Sequence, residues 1–393
     1  MTDNPFTRLS VTSMKLQGLW PVSFFGKKTA ILHRSFGVFN AICYALFTAS
    51  MFVDVIISRN NLEAIVANLC ITLLYFSGTA KALSFLFMRE TIGKLVEHAT
   101  DFTRKVRKAG NQRCLKIIDE YVRRSNTITL GFWLMVLLTV TSYCGAPIIG
   151  VVAGSKAEPT RLIYRAWNPF PNLWSGYVLQ LTMAYLTAVI TATWDTLVVS
   201  LVMIPTCELK TLGVELEEIP KCALPNGKEE NEGVREIEIK KRVSNWVKQH
   251  SAVMRYIETL DRILNHLMLL NFVVYSGIFC TTCFQYVING FKFESFVAFQ
   301  YMIATMCQMM FSYWEGNEIR IHSEALAHAA FNSAWYDAPA SLKTTVLIII
   351  LRCQKPLRLR VWKLYDISMS SCLKIMSTTY SYFAILWHVY SKK

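Results

Sequence analysis

The sequence predicts an all-α membrane protein with seven transmembrane helices, its N-terminus inside and its C-terminus outside, and a cytoplasmic helical anchor region. Composition, the lengths of the apolar runs and the placement of basic residues carry that expectation. The 393 residues are 53% hydrophobic and 13% aromatic but only 17% charged, against roughly 25% charged in soluble proteins. A soluble fold of this size would leave much apolar surface in water, and a bilayer removes the difficulty. The net charge of +14 does not point to nucleic acid. The charges cluster between long uncharged runs instead of forming a patch interleaved with aromatics.

Seven stretches reach the ~20 mostly apolar residues that a helix needs to cross a bilayer. They are Phe36–Ile57, Ala64–Met88, Ile128–Val152, Trp174–Ile204, Ile263–Ile288, Ser295–Trp314 and Ile367–Tyr390. The run Thr344–Leu351 is too short to cross. No continuous apolar core or small-residue cleavage site occupies the first 35 residues, so the first span is expected to act as an uncleaved anchor.

Orientation follows from the basic residues between spans. The segment before span one and those after spans two, four and six hold 32 Lys and Arg, against 7 in the segments after spans one, three, five and seven. This puts the N-terminus in the cytoplasm. The expected organisation is a cytoplasmic N-terminus (1–35), spans one to four (36–204), a cytoplasmic loop and helical extension (205–262), spans five and six (263–314), cytoplasmic anchor helices (315–366), and a last span with a short external tail (367–393).

Outside the membrane, 153–173 carries Trp167-Asn168-Pro169-Phe170-Pro171 and is expected to cap the outer mouth, while Lys221–Gly233 reads as a flexible loop. Upstream of span five, Ile239, Val243, Trp246, His250, Val253, Ile257, Leu260 and Leu264 alternate steps of 4 and 3. That heptad seam predicts that span five runs on into the cytoplasm and packs there, a lone surface helix being the alternative. Arg320–Trp335 and Ser341–Gln354 predict two further cytoplasmic helices, bounded by Pro339 and Pro356.

Enzymatic constellations are missing: there is no HExxH, Walker glycine loop, GxSxG or paired Cys/His metal spacing. No enzyme activity, cofactor or metal site is expected. The eleven cysteines are scattered. Cys280 and Cys283 have redox-motif spacing but sit in an apolar helix, where inert thiols are expected. Charges inside spans are costly and often functional, and here they are Asp54, Lys81, Asp195 and Lys374. At 1.5 Å per residue, the last three lie roughly 10 to 14 Å inside the cytoplasmic ends of their spans. Asp195 could therefore pair with either lysine.

On the last span, Ser371, Lys374, Thr378, Ser381, Ile385 and His388 recur at steps of 3 and 4. Such a polar stripe must face water or another helix. Several copies around an axis would line a channel, narrowed by branched apolar residues at Ile385 and Val389 that gate by excluding water. Hydrogen bonding between helices without a pore is the alternative. Aromatics, methionines and hydroxyls in the outer halves of spans two, three, four and six, namely Tyr75, Phe76, Ser142, Tyr143, Met183, Thr187, Tyr301 and Met302, suit a pocket for a small apolar molecule. Core packing explains them about as well.

A series of motifs in the C-terminal third resembles the insect odorant receptors. Tyr313-Trp314-Glu315-Gly316-Asn317-Glu318-Ile319 is followed by Ser323, Ala330-Phe331 and Trp335-Tyr336-Asp337. Arg352-Cys353-Gln354-Lys355-Pro356-Leu357 and the ending Thr379-Tyr380-Ser381-Tyr382-Phe383-Ala384-Ile385-Leu386 complete it. The resemblance implies a ligand-gated, non-selective cation channel in the cell membrane of a sensory neuron dendrite. Four subunits, among them a common co-receptor, would surround a pore lined by the last helix, in contact with membrane lipid and with no nucleic-acid partner. The chain lacks the co-receptor's long insertion before span five, which implies an odorant-tuned subunit. The family constriction falls on Ile385 and Val389, and His388 takes a polar pore-mouth position. Tyr75, Phe76 and Tyr301 fall on aromatic pocket positions, whereas Ala146 and Ala304 stand where other members can carry aromatics. Lys374 is a departure, because a cation on a cation path disfavours conduction. A gustatory-receptor-like channel without the co-receptor is the alternative, although the Thr379–Phe383 ending favours the odorant branch. The orientation and the absence of DRY-like and NPxxY-like runs weigh against a G-protein-coupled receptor.

Overall fold

The computed structural model describes residues 4–20, 27–59, 62–148, 162–164, 166, 172–219, 232–289, 293–333, 335–337, 340–362 and 364–391. These residues are helical almost throughout. The helices are α1 (Arg8–Leu16), α2 (Lys27–Ile57), α3 (Leu62–Ala109), α4 (Gln112–Gly145), α5 (Leu173–Glu218), α6 (Glu232–Asn289), α7 (Phe293–Asn332), α8 (Ala340–Cys353) and α9 (Met369–Ser391). Short 3-10 turns follow α4 and α7, and a two-residue antiparallel ladder, β1 (Arg360–Val361) with β2 (Tyr365–Asp366), precedes α9. Most of Lys221–Gly233 and the Trp167–Pro171 run lie outside the described residues, as does Pro339.

Among the described residues, α2 to α6 each contain a stretch long and apolar enough to cross a membrane. The sixth and seventh expected spans fall within α7 and α9. Helix α5 is the centre of the bundle, since a helix that is apolar on all sides has no face to give to water. From Ile190 to Leu209 every side chain is buried. Around it stand α1, α3, α4, α6 and α7.

The N-terminal segment packs on the bundle: Phe6, Val11, Met14, Leu19 and Trp20 join the main hydrophobic cluster. Ser13 Oγ lies 2.8 Å from Thr193 Oγ1, and Ser10 Oγ lies 3.0 Å from Thr196 Oγ1. These hydroxyls let a short amphipathic helix bed against α5 with its polar groups paired. One departure from the sequence expectations is at Arg320–Trp335, which is not a separate helix. Helix α7 continues unbroken to Asn332, with no proline between Trp314 and Pro339 to end it sooner.

The heptad seam holds along its length. All eight seam residues are buried on a single 58-residue α6, and Trp246 Nε1 donates to the Leu212 carbonyl of α5 at 2.9 Å. The ladder turns the chain from α8 into α9. Leu359 and Val361 are buried there, and Arg360 N donates to Asp261 Oδ1 of α6. Trp362 adopts a positive φ of 49°, its backbone N–H held by Asn265 Oδ1.

Candidate functional site

Five helices leave a small cavity of about 90 Å³ between them. Its wall takes one face of each helix. Leu74, Ser77 and Lys81 come from α3, Phe132, Val136 and Tyr143 from α4, and Thr187, Thr191 and Asp195 from α5. Tyr275 and Ile278 of α6 and Tyr301, Thr305 and Gln308 of α7 close it. The spacings of 3, 4, 7 and 8 are those of single helix faces.

The cavity is chemically graded. At one end the walls are aromatic: Tyr143 stacks on Tyr164 with centroids 5.5 Å apart, and Tyr75 meets Tyr164 edge-on at 5.8 Å. Tyr164 comes from the segment between α4 and α5. The Gln180 side-chain amide pins its backbone, accepting from Tyr164 N at 2.9 Å and donating to its carbonyl at 3.1 Å. At the other end, Lys81 Nζ donates to both carboxylate oxygens of Asp195 at 2.8 and 3.1 Å, with side chains 3% and 9% exposed. The ammonium also lies 5.9 Å from the centroid of the Tyr275 ring, whose hydroxyl accepts from Gln308 Nε2 at 2.5 Å. Asp195 is therefore the partner of Lys81, and Lys374 is exposed on α9.

Three hydroxyls on cavity-lining residues, Tyr75 Oη, Tyr301 Oη and Ser77 Oγ, are buried with no hydrogen-bond partner among the described residues. Orphan buried polar groups are uncommon, and three of them line one cavity here.

Of the pocket residues expected from sequence, the structure brings Tyr75, Tyr143, Thr187 and Tyr301 to the cavity and leaves Phe76, Ser142, Met183 and Met302 off it. For Phe76, Ser142 and Met302, each next to a lining residue, the reason is helical rotation of 100° per residue. Phe76 turns outward to meet Phe52 edge-on, and Ser142 bonds back to the Leu138 carbonyl. Met183 packs behind Tyr75 in a second cluster with Tyr44 and Met51, and Met302 lies against the main core. Sequence reasoning missed Tyr164, Tyr275 and Gln308. A glutamine inside an apolar helix was the one usable signal among them. Ala304 lines the cavity, and the side chain of Ala146 lies outside the described residues.

On α9, Cys372, Ile375 and Thr379 form the buried line. Lys374, Ser381, Ile385 and His388 are exposed, and Ser371 and Thr378 are half-buried. Nothing is described of the Val389 side chain. The expected stripe thus lies mainly on the side turned away from the chain's own bundle. Helix α9 packs against α6 and α7, two of the helices that wall the cavity.

A family model described as 7tm odorant receptor matches residues 61–380. The chain belongs to the odorant receptor family. It is 19% identical to odorant receptor 10 of Aedes albopictus over 91% of this chain and 93% of that one. With odorant receptor 30a of Drosophila melanogaster the identity is 21%, over 88% and 89%. The fold is that of the insect olfactory receptor OR5 from Machilis hrabei in complex with eugenol, at a TM-score of 0.82, 13% identity and 98% coverage of each chain. A second structure of that receptor matches at 0.79.

In this odorant receptor the signature residues of the C-terminal third are fastenings, away from the cavity. Glu315 accepts from Arg124 Nη2 at 2.6 Å, Ser323 Oγ accepts from Leu357 N at 3.0 Å, and Trp335 Nε1 donates to the Phe331 carbonyl. Gly316 is required by close approach, because a Cβ there would meet Ile367 Cγ2 at 2.6 Å. All ten described cysteines are free thiols.

Proposed function

We propose that this odorant receptor is an odorant-tuned subunit of a ligand-gated, non-selective cation channel assembled with a co-receptor subunit. A small volatile molecule occupies the cavity between α3, α4, α5, α6 and α7. The observation that carries this reading is that α6 and α7 contribute both to the cavity wall and to the packing of α9. A ligand that fits the cavity better in one helix arrangement than in another shifts the population toward it, and α9 rests on those same helices. Its exposed polar stripe with Ile385 supports α9 as the pore helix of a four-subunit assembly, with Ile385 and Val389 as the constriction and Thr378, Ser381 and His388 along the path. Seven spans, with the N-terminus inside and the C-terminus outside, complete the proposal. The similar Machilis receptor is in complex with eugenol, which supports a small, largely apolar ligand.

The test is whole-cell recording of the full chain, with and without an odorant co-receptor, against a volatile panel, together with tags on both termini of intact cells. Ligand-evoked cation current only in the co-expressing cells, with the C-terminal tag alone accessible, is expected. Ligand-evoked current without the co-receptor would favour a self-sufficient channel. An accessible N-terminal tag would overturn the topology.

A further inference from the structure

We propose that the Lys81–Asp195 pair is a specificity device that makes the cavity select neutral ligands bearing a hydrogen-bonding oxygen at one end of an apolar body, over hydrocarbons and charged molecules of the same shape. This deepens the odorant-binding reading above and rests on it.

The cavity is polar at one end and apolar at the other. In the antiparallel bundle, Ser77 and Lys81 on α3, Thr191 and Asp195 on α5, and Thr305 and Gln308 on α7 all lie toward the same end as Tyr275 of α6. Toward the other lie Ile71, Tyr143, Tyr164 and Ala184. A ligand is therefore oriented, with its hydrophobic body among the tyrosines and its polar atom toward the pair.

The pair also decides which polar atom is accepted. Lys81 and Asp195 neutralise each other at 2.8 Å within the apolar bundle. A carboxylate or ammonium ligand meets a pair whose net charge is zero, so it gains little to offset the water it must shed to enter. A hydrocarbon leaves the orphan hydroxyl of Ser77, at the polar end, without a partner, at the cost that any unpaired buried polar group carries. A carbonyl or hydroxyl oxygen can accept from Lys81 or the Ser77 hydroxyl without adding charge. A ligand hydroxyl can also donate to Asp195.

The experiment uses two matched series on the full chain co-expressed with the co-receptor. They are toluene, benzyl alcohol, benzaldehyde, benzoate and benzylamine, and the same functional groups on a six-carbon chain. The variant is Lys81→Met with Asp195→Leu, since removing one partner alone strands a buried charge and can prevent folding, whereas replacing both by apolar side chains is often neutral. In the wild type, alcohol or aldehyde is expected to be at least tenfold more potent than the hydrocarbon and more potent than either charged analogue. In the double variant that advantage collapses. Equal potency of hydrocarbon and oxygenated ligand in the wild type, or an oxygen preference that survives in the double variant, overturns the proposal. Thermal shift of the purified receptor with the same probes separates the two readings. Stabilisation by the oxygenated probes without current overturns channel gating and leaves the selectivity intact, whereas no stabilisation and no current with any probe overturns the selectivity proposal.

Discussion

Arg124 of α4 and Glu315 of α7 meet at 2.6 Å, with Glu315 1% exposed and Arg124 35% exposed. Burial pushes the Glu315 carboxyl up to about 7 from its ordinary 4.5, although the Arg124 guanidinium pulls it down. The folded protein thus holds this proton more tightly than the unfolded chain. Glu315 therefore contributes most to stability below its unfolded value of 4.5, and that contribution is lost as pH rises toward 7. Glu315→Gln should flatten this part of the melting-temperature profile of the purified protein, and a profile as steep as the wild type's would remove Glu315 as its cause.

Arg124→Met should cost about 1–3 kcal/mol, because Glu315 loses its partner and takes up a proton instead of remaining a bare buried charge. The loss should shrink as pH falls. Melting curves at two pH values check both the size and the trend.

Gly18 turns the chain from α1 toward α2 at a φ of +76°, and a Cβ there would meet Gly37 N at 2.7 Å and the His33 carbonyl at 2.8 Å. Gly18→Ala should lower stability by about 1–2 kcal/mol from backbone strain alone, with the clash added, and release α1 from α5. Gly131→Ala is the control. It lies in a helix with nothing within 4 Å, and alanine there should be neutral or stabilising by up to about 1 kcal/mol. Limited proteolysis near residue 18 distinguishes the two.

Tyr301→Ala and Tyr164→Ala should each shift ligand potency by about 1–3 kcal/mol, while Phe76→Ala, off the cavity, should leave it unchanged. Concentration–response curves at matched surface expression decide this, and a Phe76 effect as large as that of Tyr301 would relocate the ligand.

Ile385 is 63% exposed on the chain alone. Ile385→Ala should raise basal current or change permeation in the assembled channel. Unaltered conductance and gating would remove this residue from the pore.

The parts legible in the sequence are those written as a period. The seam from Ile239 to Leu264 was readable because each of its members is buried on one helix face. The α9 stripe has the same period, but its members are exposed or half-buried. Depth along a helix was legible too, which placed Lys81 and Asp195 at one level. The choice between the lysines was not, because it depends on which faces α3 and α9 turn to α5. Phe76 illustrates the same limit: next to Tyr75 in sequence, it points about 100° away. Tyr164 lay beyond reach because its position comes from two hydrogen bonds to Gln180 and has no periodicity. The burial of α1 depends on hydroxyl pairs with Thr193 and Thr196 that a short, weakly apolar segment does not announce.

Helix α6 spans 58 residues without a break, which at 1.5 Å per residue makes a rod about 87 Å long. A one-degree tilt about its midpoint displaces each end by about 0.8 Å, a distance comparable to the difference between a packed and an unpacked side chain. Tyr275 and Ile278 sit toward one end of this rod and the seam occupies the other. Because the helix is continuous, a tilt of it as a unit would carry Tyr275 and the start of the seam in opposite directions about the midpoint.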